Sequence, residues 1–230
     1  MPHTDRITPY LAEAYGLCRR KAFLLLRGDL GDAPHEYAKI LDTNAASALD
    51  GFFGSLQASG LIVERHPVPE LHGKADVLGQ ALLKTDHLEA VVDVLVRSDP
   101  RSSKIRHYEP HLVVGTHIVT RAQKIRLAFL GYLLFETHRY RPQSGAIVNA
   151  TGGLQRFQLS RLVAALMPIV ETLKEWRKNL PADPPPVLLN DHCPICPFRE
   201  SCLQQAEKDD SLTLLDRMTP KVMRKYHQRG

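Results

Sequence analysis

Cysteine placement constrains this chain more than any other feature. It has 230 residues and four cysteines, one at position 18 and the others at 193, 196 and 202. If the four act together, the two ends of the chain must meet, and what lies between them is one closed unit. Composition allows this. Hydrophobic residues make up 43% and charged residues 24%, values typical of a soluble globular domain. A chain of this length buries enough surface to fold without a staple. Disordered tails, collagens and disulfide-dense mini-domains are excluded. The net charge of +5 permits a polyanionic partner without requiring one.

The start of the chain, Met1 to Arg6, is polar and has no secretory pattern. No apolar run is long enough for a transmembrane helix, so no membrane partner is expected. The expectation is a cytoplasmic protein with reduced thiols, and there clustered cysteines bind metal more often than they pair.

Periodicity gives the order of elements. Apolar residues at helical spacing run from Thr8 to Leu26, with Thr8-Pro9 as N-cap and first helical position. A second helix is predicted from Pro34 to Leu56, loosened near Asn44, and Leu61 to Arg65 reads as a strand. Strands over 79–84, 89–97 and 106–117 form an antiparallel meander, with turn chemistry at Ser98 to Ser103. A helix over 120–138 and strands over 144–149 and 156–159 follow. Ser160 is expected to cap a helix that runs to about Leu180. Four prolines in 181–186 then stop it. The pattern is α/β, a central mixed sheet flanked by helices.

Cys193-Pro194-Ile195-Cys196 and Cys202 form C-x2-C-x5-C. Thiols two residues apart on a tight turn reach one metal centre together, and Cys18 is the only cysteine left to complete the set. Arg19, Arg20 and Lys21 follow it and are expected to favour the thiolate. All-cysteine ligation suits an iron–sulfur cluster. Zinc is the alternative, with His192 beside Cys193 as a possible ligand.

A cysteine on the first helix, preceded by Tyr10 and Leu11 and followed by basic residues, and closed by a C-terminal C-x2-C-x5-C, resembles the iron staple of RecB-like nucleases. These belong to the PD-(D/E)XK superfamily and include CRISPR-associated RecB-type exonucleases and the AddB nuclease domain. The resemblance implies a restriction-endonuclease-like core over residues 1–205. It also implies a structural 4Fe–4S cluster on Cys18, Cys193, Cys196 and Cys202. The activity it implies is hydrolysis of DNA with free ends or single strands, using Mg²⁺ or Mn²⁺.

That chemistry needs strand-borne acids and a lysine that orients the attacking water. Asp93, within Val91 to Leu95, is the first acid, and Asp76 in Gly73-Lys74-Ala75-Asp76 is its rival. Tyr108-Glu109-Pro110 resembles the start of the next strand in some relatives, which would carry Asp-x-Lys at 112–114. This chain has Leu112-Val113-Val114 instead. Taking Glu109 as the second acid places His111 where the lysine belongs, and His35 matches a histidine that some members add to the metal site. The family's Gln-x-x-x-Tyr helix corresponds to Arg126 through Leu130, without its two marker residues.

Arg121, Lys124, Arg126, Arg139, Arg141 and Arg156 are candidate phosphate contacts. Residues 206–230 resemble the first half of a helix-hairpin-helix element. Two functions follow as expectations: a DNA nuclease domain, or a nuclease-fold DNA-binding module that has lost catalysis and serves a helicase or second nuclease.

Overall fold

The computed structural model describes residues 6–65, 75–98, 107–215, 218 and 220–227. Its elements are α1 (Pro9–Leu17), α2 (Arg19–Arg27), α3 (Glu36–Ala58), β1 (Val63–Arg65), β2 (Val77–Lys84), β3 (Glu89–Arg97), β4 (Tyr108–Val113), α4 (Arg121–His138), β5 (Ser144–Val148), β6 (Leu154–Gln158), α5 (Leu159–Lys178), α6 (Arg199–Lys208) and α7 (Pro220–His227). Single 3-10 turns lie at Cys193–Ile195 and Leu212–Leu214.

The six strands form one sheet in chain order, β1 to β6. β2, β3 and β4 are antiparallel neighbours, as expected for a meander. β4 and β5 are parallel, so the chain must cross over between them, and α4 is that crossover. β1 is parallel to β2, and β6 is antiparallel to β5. The expected mixed sheet flanked by helices is present. Among the described residues no helix is long and apolar enough to cross a membrane.

Two cores lie on the sheet's two faces. The larger joins Leu11 and Ala14 of α1, Leu78 of β2, Leu95 of β3, Leu112 of β4, Leu127 to Leu134 of α4, and Val170 and Leu173 of α5. The smaller joins Ala48 and Phe53 of α3 to Val77, Val94, Val113 and Val148. α4 is buried along most of its length, as expected from the apolar run Leu127 to Phe135. A capping box on Thr120 and Gln123 satisfies its first turn. Where α3 crosses the end of β4, a Cβ on Gly115 would lie 1.9 Å from the Leu41 carbonyl oxygen, so only glycine fits.

The strand expected over 106–117 ends at Val113, and three features of the helices differ from the periodicity. The helix predicted over Thr8 to Leu26 is two helices, because Cys18 is extended (φ −160°, ψ 117°) and serves as C-cap of one and N-cap of the next. Both segments keep helical spacing, so the break is invisible in the apolar pattern. α3 runs without interruption through Asn44, whose side chain reaches the Gly115 carbonyl at 3.5 Å. α5 begins at Leu159, directly from β6, so Ser160 lies inside its first turn and caps nothing. The turn predicted at Ser98 to Ser103 lies outside the described residues from 99 onward.

Candidate functional site: the cysteine pocket and the strand-borne acids

All four cysteines are free and half-buried, and they line one small pocket. The extended Cys18 stands at the junction of α1 and α2, which turns its thiol toward the other end of the chain. The proline-rich segment returns from α5 along α2, where Arg20 donates to the Pro185 carbonyl at 2.8 Å. Asn190 then fixes the loop. Its amide nitrogen donates to Leu17 O at 3.3 Å, its side-chain oxygen accepts from His192 N at 2.9 Å, and its own N–H points at the Cys193 sulfur at 3.3 Å. A satellite core of Phe23, Leu24 and Phe198, with Trp176, backs Cys196 and Cys202. At the pocket's other side, Asp32 N donates to Pro197 O at 2.7 Å, and a Cβ on Gly31 would crowd the same carbonyl at 2.9 Å.

Cations surround the thiols. Arg20, Lys21 and Arg199 line the same pocket. Lys21 is only 6% exposed, and its ammonium meets His192 Nε2 at 2.9 Å. Arg20 Nε is buried without a protein partner. Burial pushes the Cys196 and Cys202 thiols up; the Phe198 N–H and then Lys21 oppose it at Cys196, and Arg20 opposes it at Cys202. Burial, and then the charge of Lys21, bring His192 down to about 4, so it is a neutral acceptor.

Four thiols facing one pocket, with no disulfide between them and three cations at the rim, match the ligand count and charge that an all-cysteine centre needs. Among the described residues, no group of three or more His, Cys, Asp or Glu is drawn into position around a single metal ion.

The strand-borne acids have a different setting. Asp93 sits where side-chain alternation slips. β2 and β3 pair Gly79 with Val94 and Ala81 with Val92 in one unchanged register, with Gln80 and Asp93 opposite each other but not paired. Gln80 takes a left-handed conformation (φ 55°) there. Val92 and Leu95 both enter the larger core, whereas Val94 faces α3. The Asp93 carboxylate accepts the Val113 N–H at 2.8 Å, bridging β3 to β4 beyond their last paired residues, Val94 and His111. Burial raises its pKa, and the Val113 bond and Arg126 oppose that rise. Solvent exposure by simple alternation does not describe it.

Glu109 accepts from Ser144 Oγ at 2.6 Å and from Arg156 at 2.9 Å. His111 is 2% exposed, both its ring nitrogens lack partners, and its ring lies 5.9 Å from that of Phe52. Burial, then Arg156, lower its pKa to about 4. Asp76 is buried and its carboxylate accepts from Ile62 N at 3.1 Å, tying the start of β2 to the segment before β1. His35 caps α3, accepting from Tyr37 N at 3.0 Å. It lines a cleft with Asp32, Pro194, Cys196 and Glu200 that contains none of the strand-borne acids. Leu112, Val113 and Val114, at the positions of the family's acid-x-lysine, are all core residues.

The candidate phosphate contacts are dispersed. Arg126 approaches Glu13 at 3.9 Å, Lys124 lies over Phe157, Arg141 over Phe135, and Arg156 pairs with Glu109. No family model matches the chain, and no curated protein matches it significantly. Asn190 escaped the sequence reading, although an Asx residue three positions before a cysteine knuckle is a turn signal.

Proposed function

We propose that the chain is a RecB-like nuclease-fold module that binds DNA ends or single strands, is held closed by a 4Fe–4S cluster on Cys18, Cys193, Cys196 and Cys202, and does not hydrolyse its substrate. The observation that carries this reading is the meeting of Cys18 with the C-terminal cysteines at one cation-lined pocket. The mixed sheet flanked by helices suits a restriction-endonuclease-like core. The cluster's part is structural, a tie between α2 and the C-terminal loop.

Three side chains support the loss of hydrolysis. Asp93 is spent on a backbone N–H and Glu109 on Ser144 and Arg156. His111, in the place of the lysine, is a buried neutral imidazole packed under Phe52. Lack of one positioned acid–base or electrostatic group costs on the order of 10²–10⁴ in rate.

The test is anaerobic purification with metal analysis, followed by DNA binding and cleavage assays on the same sample. Expected are iron and sulfide, broad visible absorbance, salt-weakened DNA binding, and no cleavage with Mg²⁺ or Mn²⁺. Cleavage with Mn²⁺ that is abolished by Asp93→Ala and Glu109→Ala together restores the active-nuclease reading. Zinc without visible absorbance removes the iron–sulfur centre.

A further inference from the structure

Lys21 has no protein counter-ion that matches its burial. Its side chain is covered by Tyr10, whose ring centroid lies 5.5 Å from Nζ, and by His192. Glu13 is the acid nearest in effect, but it is held toward Arg126 on α4. Among the described residues no carboxylate lies within ion-pairing distance of Nζ. The bond to His192 engages one of three ammonium donors and supplies no carboxylate. A buried cation left in this state is strongly destabilising unless an anion completes its surroundings. The remaining groups around it are Cys18, Cys196 and the pocket they line.

We infer that Lys21 is a positioning residue for the cysteine-held centre: its fixed positive charge offsets the negative charge of the four ligating thiolates and sets the potential at which that centre is reduced. The inference rests on the iron–sulfur reading above and adds a residue outside the ligand set. His192 has the supporting part of holding the ammonium in place. Reduction adds one negative charge, so a cation at the rim favours the reduced form. Removing it must shift the equilibrium toward the oxidised form.

The experiment uses the full chain, purified anaerobically, with Lys21→Met and Lys21→Arg beside the unmodified protein. Met keeps the length and apolar stem, and Arg keeps the charge. Iron and visible absorbance are read on the unmodified protein first. Their absence overturns the iron–sulfur reading and this inference with it. Given a cluster, Lys21→Met is expected to shift the reduced-to-oxidised ratio about tenfold toward oxidised, or about 59 mV more negative for one electron, and to lose iron faster to a chelator. Lys21→Arg is expected to stay near the unmodified potential. Unchanged potentials in both variants overturn the inference while leaving the cluster standing. Equal loss of iron from both also overturns it, because Lys21 would then be a packing residue.

Discussion

The cysteine pocket and the strand-borne acids are both polar clusters in a half-buried setting, yet their partners differ in kind. At the pocket, cations and thiols from opposite ends of the chain face one another with unmet demands: among the described residues Arg20 Nε has no hydrogen-bond partner and Lys21 has no carboxylate within ion-pairing distance. On the strands, Asp93 and Glu109 have their demands met by neighbours in the same sheet. His111, on the same strand as Glu109, is the exception there: both its ring nitrogens are buried without a partner among the described residues, enclosed under Phe52 rather than facing a cluster of charges.

The sharpest way to break this comparison is to remove a cysteine. Cys193→Ser or Cys18→Ser in the metal-loaded protein should cost more than about 4 kcal/mol, as loss of a structural metal centre does. Chemical denaturation reads this directly, and equal stability in loaded wild type and variant would reduce the pocket to four incidental thiols.

Next in size is Asp93. Asp93→Ala leaves the Val113 N–H unpaired inside the sheet and should cost about 1–3 kcal/mol. Asp93→Asn keeps an acceptor and removes a charge that burial disfavours, so it should cost less than the alanine variant. If Asp93→Ala is no less stable than wild type but abolishes a metal-dependent cleavage, the carboxylate is catalytic and the comparison fails.

His111 gives an effect of opposite sign. Its folded value of about 4 lies below the ordinary 6.5, so between those pH values the unfolded state binds more protons. Stability should then fall as pH drops from about 6.5 toward about 4. His111→Leu should flatten that slope and raise stability near pH 7 by about 1 kcal/mol, since two unpaired polar atoms are removed. Urea titrations across the pH range measure both, and a steeper slope in the variant would contradict the assignment.

The smallest effect belongs to Glu109. Its pair with the well-exposed Arg156 should contribute at most about 1 kcal/mol. Glu109→Gln is therefore expected to unfold within that margin of wild type, with less salt dependence. A much larger loss would mean that Ser144, Glu109 and Arg156 form a network that braces β4 against β5.

Much of the fold was legible in the sequence, and the reasons are local. The β-branched run at 89–97 and the apolar residues at helical spacing over 121–138 and 159–178 carry their period in the residues themselves. The break at Cys18, the slip at Asp93 and the continuity of α3 were not legible. Each depends on what packs against the segment, and the apolar spacing is the same in either case. The cysteine set was legible as a set because four thiols in a chain this long are few enough to count. Its surroundings were legible only in part. Arg20 and Lys21 follow Cys18 in sequence, but Asn190 enters through contacts with Leu17, His192 and Cys193.

By itself the sequence determined that both ends of the chain carry cysteines, that a β-rich middle separates them, and that Leu112, Val113 and Val114 are apolar. These are matters of residue identity. Tertiary structure decided which groups meet. It set Cys18 at a helix break facing residues 193–202, placed Lys21 beneath Tyr10 and beside His192, and gave Asp93 a backbone N–H in the sheet. Burial and hydrogen-bond partners fix the charge state and reach of a side chain, and both arise only when distant segments pack together.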